Sequence, residues 1–139
     1  MAIPYHPEIG TVLICDFHGF VEPEIVKRRA VVVVSPKLKN RDRLCTVIPL
    51  STTDPLVVMP YHYKLNFDKP LPPPYASDFK WAKCDMLATV SFERLNMPCR
   101  KLHSGRRKYI EVIVSDDDIT NIRKCMLHAM ALSCLTKHL

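Results

Sequence analysis

Glycine is scarce in this chain, with three residues in 139, and tryptophan occurs once. So few glycines leave no Gly-rich loop whose backbone amides could cradle a nucleotide phosphate, which argues against the common nucleotide-binding folds. Long apolar runs are missing as well, so no membrane-spanning helix is expected. The opening residues MAIPYHPEIG carry neither a basic nor an apolar leader segment, and a cytoplasmic protein is the expectation. The six cysteines, at 15, 45, 84, 99, 125 and 134, form no CxxC pair. A disulfide framework and a zinc site both fit that spacing poorly, and the thiols read as small buried hydrophobes in a reducing compartment. The histidines are scattered, so neither a metal nor a cofactor is implied. No internal repeat is present.

What the chain has is basic charge. Net charge is +6 and the pI about 9.1, and the cations cluster: Lys27-Arg28-Arg29, then Lys37, Lys39, Arg41 and Arg43, then Arg100-Lys101 and Arg106-Arg107-Lys108. Several basic loops on a small domain suit a polyanion better than a single small acid. Solvated loop charges with no partner are the plainer use of the same residues. The length suits one domain, residues 1–139, with a core of useful size.

The chain is organised around Lys27 to Thr53, KRRAVVVVSPKLKNRDRLCTVIPLSTT. Three cations run into Val31-Val32-Val33-Val34, and after Ser35-Pro36 and a charged turn the chain returns through Leu44, Val47 and Ile48 to Ser51-Thr52-Thr53. Two β-branched runs broken by such a turn predict neighbouring strands. Four successive valines cannot alternate in and out, so the first strand should be covered on both faces. If the two strands pair antiparallel, Arg29 entering one and the hydroxyls leaving the other lie close together. A guanidinium beside hydroxyls is a plausible phosphate cradle.

Elsewhere, Thr11 to Phe17 predicts a strand, and Phe20 to Val26 with Pro23 a loop. Tyr61 to Phe67 alternates as a strand does. Lys69 to Lys80, KPLPPPYASDFK, predicts a stiff polyproline-like surface loop that cannot join a ladder. Trp81 to Thr89 predicts renewed extended structure, Ser91 to Leu95 one helical turn, and Lys108 to Val114 a strand with its odd positions on one side. Ser115 opens a helix over about 116–136, with Asp118 completing a capping box. Its apolar stripe is Ile119, Ile122, Met126, Ala129 and Met130. Short strands without βαβ alternation, plus one late helix, predict a mainly β (α+β) domain built as a small SH3-like barrel.

The second informative stretch is Trp81-Ala82-Lys83-Cys84-Asp85. Two positions apart on a strand, Lys83 and Asp85 point to one face and can act as proton donor and acceptor. An ordinary same-face ion pair is the commoner use of that spacing.

These stretches together resemble the PemK/MazF toxins, small bacterial ribonucleases. In that family Arg-Pro leads into a valine-rich strand, Ser-Pro follows, and the next strand ends in Pro-x-Thr. The PemK branch then has Arg-Cys-Asp with Thr four residues on, where this chain has Lys83-Cys84-Asp85 and Thr89. Glu24 precedes Arg29 by the family's interval, and Asp16-Phe17 resembles the end of its first strand. The matches run in order over about residues 10 to 95.

The resemblance implies a dimeric SH3-like barrel that cuts single-stranded RNA without metal. A ribose 2′-OH attacks the adjacent phosphorus, leaving a 2′,3′-cyclic phosphate and a 5′-hydroxyl, and an antitoxin protein is the expected partner. By that likeness Asp85 is the base, Lys83 the proton donor, and Arg29 the phosphate contact. Ser51 is the hydroxyl two after Pro49, with Thr52 in its place if the strand end is shifted by one. Glu24 would orient Arg29 or position RNA. Lys27, Arg28, Thr53 and Thr89 would line the RNA path.

The chain departs from the family at three places. Ala30 replaces the Pro, Lys83 replaces an Arg and loses its planar fork, and Pro23 stands where the PemK branch has His. His18, upstream in the same loop, is the candidate to replace that His.

Overall fold

The computed structural model describes residues 3–139. Nine strands and one α-helix follow in order. They are β1 Val12–Cys15, β2 Arg29–Val33, β3 Leu44–Ser51, β4 His62–Asn66, β5 Phe79–Lys83, β6 Ala88–Ser91, β7 Leu95–Asn96, β8 Cys99–Lys101, β9 Arg107–Tyr109 and α1 Asp116–Ala129. Short 3-10 turns cover Cys84–Met86, Phe92–Arg94 and Ser133–His138.

β2 pairs antiparallel with β1 through Val12↔Val32 and with β3 through Val31↔Pro49 and Val33↔Val47. The far edge of β3 is shared: its first half pairs with β6, and its end pairs with β5 through Leu50↔Ala82 and Ser51↔Trp81. β6 reaches β7 through one 3-10 turn, and β7 lies back on β1, so β1, β2, β3, β6 and β7 close into a small barrel. β4 and β5 extend the sheet beyond it, and β8 and β9 form a separate hairpin.

The valine run is covered on both faces, as its lack of alternation requires. Val31 and Val33 point into the barrel with Leu13, Cys15, Val47, Val90, Phe92 and Leu95. Ala30 and Val32 point the other way, under α1, with Val12, Ile14, Ile48, Leu50, Ile119 and Ile122. Val31, Val32 and Val33 are each fully buried, which stabilises the fold by about 1.5–3 kcal/mol apiece. The helix sits close above β1 because Gly10 (φ +93°) leaves room: a Cβ there would lie 3.3 Å from Ile119.

Several expectations need correction. The Pro-rich segment is not a mere surface spacer. Leu71 is buried in the helix-side core, Tyr75 N–H donates to Pro72 O at 3.0 Å to fold the loop back, and Phe79 and Lys80 join β5. Lys108 to Val114 is ladder-paired only to Tyr109; beyond it Ile113 makes a single bridge to Thr11. Its alternation does hold, with Tyr109, Glu111 and Ile113 exposed and the residues between them half-buried.

The helix ends at Ala129 rather than near 136, and Cys125 belongs to its buried stripe while Met130 is exposed. The capping box is half made. Ser115 Oγ accepts from Asp118 N–H at 3.1 Å, but the Asp118 carboxylate accepts from Tyr63 Oη. The predicted turn after Ser91 does form, with Ser91 Oγ accepting from Glu93 N–H.

Candidate active site

Two clefts flank the end of β3. On one side Leu50 and Thr52 line a cleft of about 270 Å³ together with Arg28, Arg29, Tyr75 and Lys80. Arg29 opens β2 opposite Cys15 of β1, so its backbone is held while its side chain leans into the cleft. Its Nε is buried and has no hydrogen-bond partner. Arg28 just outside the strand reaches the Asp16 carboxylate at 3.3 Å. The Asp16 carboxyl is held below its usual range, first by the His18 N–H and then by the Arg28 charge. Lys80, on the same side of β5 as buried Ala82, is 5% exposed.

On the other side Asp85, Glu24, Pro49 and the rings of Phe17 and Phe20 line a second cleft of about 360 Å³. Asp85 stands exposed on the 3-10 turn that follows β5. Glu24 uses Oε2 to accept from Val21 N–H at 2.7 Å, so its carboxylate shapes its own loop beside Asp85. One cleft therefore gathers cations and the other carboxylates.

The structure brings Arg29 and Thr52 together, and Glu24 and Asp85 together. Ser51 is buried and its Oγ accepts from Thr53 N–H at 3.2 Å, whereas Thr52, one residue on, faces the cationic cleft. β5 ends at Lys83 and the chain turns through 84–86, so the two-residue spacing no longer puts Lys83 and Asp85 on one face. Lys83 is half-buried opposite His62 and lines neither cleft.

Thr89 lies at the opposite end of β3, its hydroxyl 2.7 Å from that of Thr46. Thr46 and Ser51 are five residues apart along β3, on the order of 16 Å. His18, Lys27 and Thr53 are exposed on the loops around the clefts, and the His18 carbonyl accepts from Arg94. Lys80 and Tyr75 are absent from the sequence-based candidates because both lie in the segment expected to be a surface loop. The alternation of Lys80 with Trp81 and Ala82 was the available signal. Among the described residues no group of three or more His, Cys, Asp and Glu is placed to hold a metal ion, and no helix is long and apolar enough to cross a membrane.

Cations at one side of a strand end and an exposed carboxylate at the other are what phosphodiester chemistry uses: charge for the phosphoryl oxygens and a base for the attacking hydroxyl. Comparison with known proteins points the same way. Residues 8–128 match the family model described as PemK-like, MazF-like toxin of type II toxin-antitoxin system. The chain is 31% identical over 122 residues to the YifN protein of Escherichia coli K12, covering 69% of this chain and 76% of that one. It is 32% identical to an uncharacterized protein of Haemophilus influenzae, covering 97% and 98%.

Among solved structures, MazF of Deinococcus radiodurans superposes with a TM-score of 0.64 at 16% identity, covering 91% of this chain and 98% of that one. A mycobacterial endoribonuclease in complex with its cognate antitoxin gives 0.62 at 19% identity, covering 91% and 97%. The antiparallel sheet with one late helix is thus the MazF fold. With its family model spanning nearly the whole chain, this protein belongs to the PemK-like, MazF-like toxins of type II toxin-antitoxin systems.

Proposed function

We propose that the protein is a metal-independent endoribonuclease acting on single-stranded RNA, the toxin of a toxin–antitoxin pair. The observation that carries this reading is the pairing of clefts at the end of β3, Arg29 with Thr52 on one side and Asp85 with Glu24 on the other. RNA laid across that strand end would meet positive charge and a hydroxyl at its phosphate, and a carboxylate base near the ribose. Asp85 takes the 2′-OH proton. Arg29 and the Thr52 hydroxyl hold the phosphorane oxygens as charge builds, the interaction worth most at the transition state. The 5′-oxygen leaves with a proton, for which Lys83 remains the candidate donor, and a 2′,3′-cyclic phosphate results. Thr52 serves here in place of Ser51, whose hydroxyl is engaged within its own turn.

An antitoxin partner and a homodimer follow from the same family reading. The solved mycobacterial relative is bound to its antitoxin. The test is incubation of purified protein with mixed-sequence RNA in EDTA. Fragments with 5′-hydroxyl ends are expected, with Asp85→Asn and Arg29→Ala each lowering the rate by about 100-fold or more. Cleavage that neither substitution slows would remove these clefts from the reaction.

One observation favours a second reading. Lys83 lines neither cleft, and the PemK-branch His is replaced by Pro23. An RNA-binding module without cleavage activity would show tight, salt-sensitive binding and no products after long incubation.

A further inference from the structure

Among the described residues Lys80 is the one buried lysine, and no ion pair neutralises it. It is 5% exposed, and among the described residues no carboxylate forms an ion pair with it. The charge facing it from β2 is Arg29, of the same sign, which lines the same cleft and whose buried Nε has no hydrogen-bond partner. Arg28 is matched by Asp16, but among the described residues Arg29 and Lys80 have no such match. Arg28 also lines the cleft, and its charge and that of its partner Asp16 both reach Tyr75; the Thr52 hydroxyl from the end of β3 and Pro74 from the Pro-rich loop are neutral. Opposite Lys80 on β4 stands Leu65, fully buried.

Burial, and then the Arg29 charge, push the Lys80 amine below its usual value. Two adjacent cations in a partly enclosed cleft are tolerated when an anion completes the set. A cleft of about 270 Å³ has room for one tetrahedral group and its ester arms.

We propose that Lys80 is a substrate-binding residue, the interior cation of a subsite that holds one phosphodiester of a single-stranded nucleic acid together with Arg29, Thr52 and Tyr75. The assignment rests on the RNA reading above and deepens it. It makes the exit of the Pro-rich loop part of the binding surface, because Tyr75 and Lys80 both come from that segment. Seating of the phosphate keeps Lys80 protonated, and Tyr75 and Thr52 donate to the same oxygens.

The test uses a mixed-sequence all-2′-deoxy oligonucleotide, which cannot be cut by 2′-OH attack, so binding is read apart from catalysis. Affinity is measured by fluorescence anisotropy from about 50 to 200 mM salt. Wild type, Lys80→Met, Lys80→Gln, Lys80→Arg and, as a control, Lys137→Met are compared; Lys137 is exposed on the C-terminal 3-10 turn and lines neither cleft.

Lys80→Met and Lys80→Gln are expected to weaken binding about tenfold. The slope of log K against log salt should fall by about 0.7, the value of one single-strand phosphate contact. Lys80→Arg should stay within about threefold of wild type, and Lys137→Met should be unchanged. The melting temperature of Lys80→Met should equal or exceed that of wild type, which shows that weaker binding is not unfolding.

Wild-type binding with both neutral variants unchanged in affinity and slope overturns the Lys80 assignment and leaves the RNA reading intact. No binding by wild type overturns the assignment as well, and the RNA reading is then decided by the cleavage assay in EDTA. Equal losses in Lys80→Met and Lys137→Met would reduce Lys80 to a share of the net charge and also overturn the assignment.

Discussion

Tyr63 helps tie the outer sheet to the helix, its hydroxyl donating to Asp118 Oδ1 at 2.6 Å. Burial first, and then that carboxylate, push its phenol up to about 12. The folded protein therefore holds the Tyr63 proton at pH values where the unfolded chain, with a phenol near 10, has lost it. Its contribution is complete below about pH 10 and is lost as pH rises toward about 12. Tyr63→Phe should cost about 1–2 kcal/mol in urea unfolding at neutral pH, and should flatten the stability loss above pH 10. An unchanged alkaline profile in that variant would place the titration elsewhere.

The cysteines tell the same story of burial. Cys15 is pushed up to about 12 by its apolar surroundings, and Cys84 is also raised, first by the neighbouring Cys125 thiol and then by burial. Four of the six thiols are buried core members, as their apolar settings suggested, whereas Cys99 is half-buried and Cys134 is exposed.

At the scale of elements, α1 shows which signals a sequence carries and which it conceals. Its start was legible: Ser115 and three aspartates stand where a cap and the macrodipole favour them. Its end was not, because the apolar residues continue and no glycine marks the stop. The structure ends the helix with Leu132 N–H donating to Leu127 O at 2.8 Å, which requires a left-handed residue between them. That residue is Ala131, at φ 58°. Ala131→Gly should stabilise the protein by about 0.5–1 kcal/mol, whereas Ser115→Ala should cost about 1 kcal/mol. Opposite shifts in the denaturation midpoint, with equal m-values, would check the pair. The same limit governed Asp85. Period-two reasoning holds only while a strand lasts, and β5 stops at Lys83.

For the whole molecule, β2 is the shared wall between the barrel interior and the layer under α1. Neither layer can open without exposing one face of the same strand, so the two should unfold together. Fluorescence of Trp81, which sits on β5 outside the barrel ring, and far-UV circular dichroism should trace one superimposable denaturation curve. Val31→Ala and Val32→Ala, on opposite faces, should each shift both probes alike. Separate transitions would show two independent layers.

Much of this protein was legible in local chemistry. Unalternating valines demanded cover on both sides, a capping serine started the helix, and the order of Glu24, Arg29, Lys83 and Asp85 carried the family resemblance. These are properties of neighbouring residues, which sequence records directly. Only the tertiary structure decided which hydroxyl faces the cations, because that depends on where the end of β3 turns: Ser51 goes inward and Thr52 outward. It likewise carried Lys80 from a supposed spacer to the side of Arg29, some fifty residues away in the chain. Charges meet in a cleft through strand pairing, and pairing between distant segments is what a linear pattern cannot display.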